Sequence, residues 1–92
     1  MRERDIRWDL DAWDDYLFWQ TQDKNVLKRI NLLIKDILRD PFGGIGKPEP
    51  LKGDLSGFWS RRIDDEHRLV YAVENEAVLI IACRGHYNEK RV

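Results

Sequence analysis

Residues 58–83 read FWSRRIDDEHRLVYAVENEAVLIIAC and contain three segments rich in aromatic and β-branched residues. That composition is typical of β-strands. Two short stretches, DDE at 64–66 and ENE at 74–76, separate the segments, and their polar side chains indicate turns. The pattern predicts a meander of three antiparallel strands, at residues 58–63, 68–73 and 77–83.

Two amphipathic helices are predicted before these strands. The first runs from Leu10 to about Gln22, with acidic residues near its N-terminal end, where negative charge is favourable. Asp23 can cap the second helix, and Asp40-Pro41 ends it because the residue before a proline avoids helical geometry. The second helix has one apolar stripe at helical spacing, formed by Val26, Ile30, Leu33, Ile34 and Ile37.

The remaining segments complete one α+β domain. Residues 41–50 contain three glycines and three prolines without periodicity, which predicts a surface loop. In residues 1–9, Ile6 and Trp8 alternate with polar residues, a pattern consistent with a short first strand. Helices followed by strands predict two N-terminal helices packed on one face of a small antiparallel sheet, with residues 1–92 as a single domain.

The balance of charged residues bears on whether the protein binds nucleic acid. Sixteen Lys and Arg against 17 Asp and Glu give a net charge of −1, so overall charge does not suggest nucleic-acid binding. Basic residues nevertheless cluster between Lys47 and Arg68, so an RNA site would need to separate them from the acids nearby.

No apolar run suits a membrane span or a signal peptide, so we expect a soluble cytoplasmic protein. The single cysteine, Cys83, lies in an apolar segment and is interpreted as a buried, reduced thiol.

Four longer motifs occur in order: W-D-D-Y-L-F-W-Q from Trp13, D-P-F-G-G-I-G-K-P-E-P-L-K from Asp40, L-S-G-F-W-S-R-R-I-D-D-E-H-R-L-V-Y-A-V from Leu55, and A-C-R-G-H-Y from Ala82. Across residues 13–87 this combination resembles the YoeB-type toxins, the Txe/YoeB family of the RelE/ParE superfamily. The resemblance implies the RelE-like fold and a toxin that cleaves messenger RNA in the ribosomal A site, which inhibits translation. It also implies a YefM-like antitoxin, a homodimer, and contact with operator DNA only through the antitoxin complex.

Cleaving RNA without a metal requires a base for the ribose 2′-OH, an acid for the 5′-oxygen and cations for the phosphorane charge. The resemblance implies that Glu49 is the base and His86 the acid, with Tyr87 orienting the substrate or stacking on a base. Pro48 and Pro50 flank Glu49 and restrict its backbone, so its carboxylate can be aimed with little loss of entropy. The alternative for Glu49 is an ordinary surface glutamate.

The resemblance places Arg68 at the scissile phosphate and gives Lys52 and Arg62 a role in binding the RNA backbone. A guanidinium suits this role because it stays charged and can hold two phosphate oxygens. Arg61 and Arg62 are neighbours on a strand and must point to opposite faces, so only one can line the site. We interpret Arg61 as a solvated strand charge. The sequence has no cluster of metal ligands, and no metal or cofactor is expected.

The other histidine and the aromatic residues of the first helix are expected to be structural or to contact a partner. His67 ends the acidic turn and is interpreted as a turn or strand-start residue without chemistry. Trp13 and Tyr16 fall on the apolar stripe of the first helix and are predicted to lie in the core. Phe18 and Trp19 fall partly off that stripe, which favours contact with a second subunit or the antitoxin.

Three features depart from the family pattern. Gly85 stands before His86, where a bulky or aromatic residue is usual, and residues 88–92 extend past the point where the family's chains tend to end. The N-terminus is also longer by a few residues. Two other functions stay open: a non-catalytic binding toxin, like the ParE-type toxins that inhibit DNA gyrase, and a degenerate toxin that acts only as operon co-repressor. The combination of Glu49, Arg68 and His86 favours the nuclease.

Overall fold

A computed structural model describes residues 4–85. It confirms the predicted α+β class. The elements, in chain order, are β1 (Asp5–Trp8), α1 (Leu10–Gln22), α2 (Lys24–Arg39), β2 (Glu49–Pro50), a 3-10 turn (Gly53–Leu55), β3 (Phe58–Arg62), β4 (Arg68–Val73) and β5 (Ala77–Ala82). Neither helix in this part of the chain is long and apolar enough to cross a membrane.

Aspartates begin both helices. An Asp9 side-chain oxygen accepts a hydrogen bond from the Ala12 amide at 2.8 Å. Asp23, the predicted cap of α2, accepts from the amides of Asn25 and Val26 at 3.0 and 3.2 Å. Each cap satisfies amides that lack an intrahelical partner, and such a cap contributes about 1 kcal/mol. Four residues of the predicted stripe of α2 are buried: Ile30, Leu33, Ile34 and Ile37.

The five strands form one sheet in the order β1-β5-β4-β3-β2. Strands β3, β4 and β5 make the predicted antiparallel meander. The predicted first strand joins the free edge of β5 in parallel, with Asp5 opposite Ala77 and Trp8 opposite Ile80. The sheet is therefore mixed rather than wholly antiparallel. Parallel neighbours need a long connection, and here both helices and the meander lie between β1 and β5.

Strand β2 lies at the end of the segment predicted to be a loop. Glu49 pairs with Ser60, and Pro50 pairs with Trp59. Two residues are too few to give a period-two pattern, so the sequence offered no signal for this strand. The pairing fixes the position of Glu49 at the edge of the sheet.

The two faces of the sheet differ. Both helices cover one face, where the main core contains Leu69 and Tyr71 of β4 together with Ile80 of β5. The opposite face carries a smaller apolar cluster beneath the 3-10 turn, formed by Leu51, Leu55, Phe58, Val70, Ile81 and Ala82. Because side chains alternate along a strand, neighbouring residues of β3 face opposite sides of the sheet.

The prediction that Trp19 faces a partner is wrong. Trp19 is 5% exposed, and its indole N–H donates to the Cys83 carbonyl at 2.9 Å. The buried residues of α1 are Ala12, Asp15 and Trp19. An aspartate on the buried face interrupts the apolar pattern, and this displaced the predicted stripe. The burial predicted for the Cys83 thiol is confirmed, and its sulfur donates to the Ala12 carbonyl at 3.7 Å.

The predicted core position of Trp13 is also wrong. Trp13 is 41% exposed and belongs to an aromatic group at the surface, with ring centroids 5.7 Å from Trp8 and 5.8 Å from Tyr16. Phe18 is half-buried, and the Arg84 guanidinium lies 3.7 Å from the centroid of its ring. Helix α1 therefore keeps part of its aromatic surface outside the core.

Candidate active site

Three strands bring polar side chains together on the face of the sheet that the helices leave open. Arg68 Nη1 lies 3.3 Å from Glu49 Oε1 and 3.4 Å from Ser60 Oγ. Arg62 stands directly opposite Arg68 in the register of β3 and β4. Antiparallel pairing puts opposed residues on the same face, so one carboxylate, one hydroxyl and two guanidinium groups share this region.

The contact between Glu49 and Arg68 is partly open to solvent. The Glu49 side chain is 54% exposed and that of Arg68 is 19% exposed. An exposed ion pair contributes only about 0–1 kcal/mol to stability. The pair therefore does little for the fold, and its carboxylate remains accessible to a ligand that approaches the open face.

Within residues 4–85, the structure shows no side-chain hydrogen bond or ion pair that joins another predicted site residue to Glu49 or Arg68. Lys52 is exposed at the N-cap of the 3-10 turn, two residues after β2. His86 and Tyr87 lie outside the described residues. The structure thus brings Glu49 and Arg68 into contact and puts Arg62 beside them, and the predicted roles of all six residues stay predictions.

The interpretation of Arg61 as a solvated charge is wrong. Its side chain is fully buried beneath the helices. The guanidinium donates to Asp36 Oδ2 at 2.6 Å and to the Tyr71 hydroxyl at 3.1 Å. It also donates to three backbone carbonyls, those of Asp40, Gly43 and Ile45. The carbonyl groups and the carboxylate compensate for the burial of the charge, which would otherwise be costly.

This network around Arg61 fixes the loop at residues 40–46, which leads to Glu49. The Tyr71 hydroxyl donates to the Pro41 carbonyl at 2.8 Å, and Asp36 Oδ2 accepts from the Ile45 amide at 3.0 Å. Hydrogen bonding, chiefly from Arg61, lowers the pKa of Asp36 to about 2, while burial raises the pKa of Tyr71. The loop is therefore held along its length by a largely buried charged network.

The loop ends against β3 at Gly46. The Gly46 carbonyl accepts from the Arg62 amide at 2.7 Å. Gly46 has φ +80, and a Cβ atom there would lie 2.7 Å from a side-chain carbon of Leu33. Both features favour glycine at this position. This close approach anchors the chain three residues before Glu49.

A second segment, residues 83–85, continues from β5. Asp15 accepts from the Cys83 amide at 3.1 Å, and the Trp19 indole donates to the Cys83 carbonyl. Two residues further on, the Gly85 amide donates to His67 Nδ1 at 2.7 Å. Side chains from α1 and from the start of β4 thus hold this part of the backbone.

Comparison with known proteins identifies the family of this chain. Residues 8–87 match the family described as the YoeB-like toxin of bacterial type II toxin-antitoxin systems. The chain belongs to this family. Toxin YoeB of Escherichia coli K12 is 65% identical over 80 residues, which cover 87% of this chain and 95% of that protein. Toxin YoeB of Synechocystis is 67% identical over 76 residues, covering 83% of this chain and 88% of that one.

Solved structures of YoeB proteins share the fold. The YoeB dimer of Staphylococcus aureus has a TM-score of 0.87 and 45% identity, covering 94% of this chain and 100% of that chain. The heterotetrameric YoeB-YefM toxin-antitoxin complex of the same species contains a chain with a TM-score of 0.84, 45% identity and the same coverage. This YoeB-like chain is thus a toxin of a type II toxin-antitoxin system, as its motifs predicted.

Two residues of this YoeB-like toxin were missed or misread from the sequence, although period-two alternation contains a signal for both. Ser60 shares its strand face with Arg62, which places its hydroxyl beside the site. Arg61 shares its face with Trp59 and Ile63, and Ile63 is 6% exposed. The apolar neighbours of Arg61 at i ± 2 indicated the core face.

Residues 4–85 of this toxin contain no group of three or more His, Cys, Asp or Glu side chains that could hold a metal ion. The acidic side chain at the open face, Glu49, is paired with a guanidinium instead. The absence of a metal and of a cofactor from the chemistry stays a prediction.

Proposed function

We propose that this toxin is a ribosome-dependent messenger-RNA endonuclease that cleaves in the A site by metal-independent acid-base catalysis and so inhibits translation. The contact of Glu49 with Arg68, 3.3 Å between Oε1 and Nη1, carries the proposal. It joins a possible base to a permanent cation on an exposed face of the sheet. These are two of the three elements that the reaction requires.

In the proposed reaction, Glu49 removes the proton of the ribose 2′-OH, and the 2′-oxygen attacks the adjacent phosphorus. The bond from phosphorus to the 5′-oxygen breaks, and His86 donates a proton to that leaving oxygen. The products are a 2′,3′-cyclic phosphate and a 5′-hydroxyl. Every proton is supplied or accepted by a side chain or the substrate, so no metal-bound water takes part.

Arg68 stabilises the charge that develops on the phosphorane oxygens. In the free protein its guanidinium is paired with Glu49. A phosphate that binds Arg68 replaces this carboxylate as its partner, which leaves Glu49 free to accept the 2′-OH proton. Arg62 and Lys52 bind neighbouring phosphates, and Tyr87 orients the substrate.

We further propose that the toxin forms a homodimer, binds a YefM-like antitoxin and contacts operator DNA only through that complex. The Staphylococcus aureus YoeB dimer and YoeB-YefM heterotetramer support this assignment. So do three exposed apolar residues on α1, Leu10, Trp13 and Leu17, which are 73%, 41% and 43% exposed. Apolar surface of this kind is typical of sites that a protein partner covers. Action on ribosomes implies a cytoplasmic location.

The proposal is tested by mapping RNA cleavage on programmed ribosomes. Wild-type protein is expected to cut in the A site and to leave a 2′,3′-cyclic phosphate. Direct hydrolysis by a metal-bound water forms no cyclic phosphate. Glu49→Gln and His86→Ala should each lower the cleavage rate at least about a hundredfold, the usual contribution of a general acid or base.

Glu74→Gln is the matched control for Glu49→Gln. Glu74 lies just beyond the opposite end of β4 from Arg68, is 45% exposed and pairs with Arg7 at 3.1 Å. Its loss should leave cleavage unchanged. If folded wild-type protein bound its antitoxin but cut nothing on ribosomes, the nuclease assignment would fail, and a non-catalytic toxin or a co-repressor would replace it.

A further inference from the structure

His67 is a largely buried histidine that the proposed reaction does not use. Only 16% of its side chain is exposed. Its ring meets the Trp19 ring edge-on, with centroids 4.8 Å apart. Its Nδ1 accepts a hydrogen bond of 2.7 Å from the Gly85 amide, across 18 positions of sequence. The imidazole is therefore directed at the backbone that follows β5 rather than at the open face.

Gly85 is held at both of its polar backbone groups by two consecutive residues. His67 accepts from its amide, and the backbone amide of Arg68 donates to its carbonyl at 3.1 Å. Arg68 is the same residue whose side chain contacts Glu49. The start of β4 therefore connects the Glu49 region with the segment that leads to His86.

The backbone conformation of Gly85 depends on these two hydrogen bonds. Its φ is +80, a region that glycine enters without steric cost. Glycine also has the most freedom to leave it, because no Cβ limits its backbone. Hydrogen bonds from outside the segment therefore hold the Gly85 backbone in this conformation, and His86 is the next residue in the sequence.

We propose that His67 is a positioning residue for RNA cleavage, acting through the Gly85 amide on the backbone that carries His86. The inference rests on the proposed function. Accepting this hydrogen bond uses the lone pair of Nδ1, so this nitrogen of His67 is engaged by the backbone and not by the RNA.

The hydrogen-bonding role is separated from packing by three substitutions. His67→Phe keeps an aromatic ring against Trp19 but offers no acceptor. His67→Asn places an amide oxygen at the same number of bonds from Cβ as Nδ1, so it can still accept from Gly85. His67→Gln carries the same amide group one bond further out and serves as the control for Asn.

Single-turnover cleavage on programmed ribosomes, measured over a range of ribosome concentrations, gives the maximal rate and the half-saturating concentration separately. We expect His67→Phe to lower the maximal rate by about tenfold to a hundredfold, as small misplacements of a reacting group do. The half-saturating concentration should stay within about twofold, since no RNA contact is lost. His67→Asn should recover most of the rate, and His67→Gln should not.

Hydrogen exchange of the Gly85 amide, followed by NMR, reports on the bond itself in the same proteins. It should be protected in wild type and in His67→Asn, and exposed in His67→Phe and His67→Gln. If His67→Phe does not fold, the comparison of Asn with Gln carries the test, because both are amides of similar polarity.

Full cleavage by the variants with an exposed Gly85 amide would overturn the positioning role and leave the nuclease assignment intact. Equal impairment of Asn and Gln, with the amide protected only in Asn, would also overturn it, because the bond would then be present without effect. A wild-type protein that does not cleave would overturn the proposed function and this inference together.

Discussion

Two segments lead toward the proposed site, and they are held in different ways. The loop at residues 40–46, which precedes Glu49, is fixed by one connected network centred on the Arg61 guanidinium. Residues 83–85, which precede His86, are fixed by separate side chains from two regions of the fold. These are Asp15 and Trp19 of α1, and His67, which immediately precedes β4.

Because of this difference, we expect the two segments to respond differently when one of the side chains that hold them is substituted. In the loop, one buried guanidinium donates to three carbonyls and a carboxylate at once, so its removal takes this donor from all three carbonyls and leaves the Asp36 carboxylate with only Arg39 and the Ile45 amide. In residues 83–85 the hydrogen bonds are made by different side chains, and one such bond typically contributes about 1 kcal/mol. The loop should therefore be lost as a unit, while the other segment should loosen one contact at a time.

The largest expected effect is that of Arg61→Met, which keeps an extended apolar side chain but removes the guanidinium. Breaking a buried ion pair by removing one partner costs about 3–5 kcal/mol. We expect a decrease of that size in the free energy of unfolding, measured by urea denaturation. The Ile45 amide, which donates to Asp36, and the Arg62 amide, which donates to the Gly46 carbonyl, should also exchange with solvent much faster than in wild type.

Arg62→Met is the matched control for Arg61→Met, because it makes the same change at the neighbouring residue on the exposed face. Its effect on stability should lie within about 0.5 kcal/mol of zero. Equal losses for the two variants would show that the buried network does not hold the loop.

The second effect concerns pH and Asp36, the carboxylate of this network. Its pKa is lowered from 3.8 to about 2, chiefly by the hydrogen bond from Arg61. A lowered carboxylate pKa stabilises the fold above the unfolded value, and this contribution disappears as pH falls through the folded value. We expect wild type to lose about 1–2 kcal/mol from this group between pH 5 and pH 2.

The measurement is urea denaturation of wild type and Asp36→Asn across that pH range. Asparagine does not titrate, so the difference in unfolding free energy between the two proteins should shrink as the solution becomes more acidic. A difference that stayed constant would mean that the Asp36 charge contributes nothing to the fold.

The sequence predicted the regular parts of this molecule because their signals are local and periodic. The stripe of α2 and its Asp23 cap predicted that helix, and three segments of strand composition predicted the meander. Strand β2 could not be predicted, because Glu49 and Pro50 pair with β3 through register alone. Its position depends on the chain that follows it.

Only part of the candidate site could be predicted from the sequence. Motifs singled out Glu49 and Arg68, and the structure brings these two into contact. Period-two alternation indicates the core face for Arg61, but the carbonyl groups that bind its guanidinium lie 16 to 21 positions earlier in the chain, and no local pattern identifies them. The contact of His67 with Gly85 is likewise long-range and involves a backbone amide. Interactions of this kind leave no trace in the residue types along the chain.

The smallest expected effect is that of Trp19→Phe, which tests the segment held by independent contacts. The substitution removes the indole donor to the Cys83 carbonyl and keeps most of the aromatic packing. One lost hydrogen bond should lower the free energy of unfolding by about 1 kcal/mol. Trp13→Phe, the same change at a 41% exposed position of the same helix, is the control and should cost less.

Hydrogen exchange decides whether the contacts in residues 83–85 are independent. In Trp19→Phe the Gly85 amide should keep its protection, because its acceptor is His67 and not Trp19. If Trp19→Phe instead exposed the Gly85 amide and cost as much as Arg61→Met, the segment would behave as a single cooperative unit. The edge-on contact between the Trp19 and His67 rings would then be the connection, since it joins the two anchors of the segment directly.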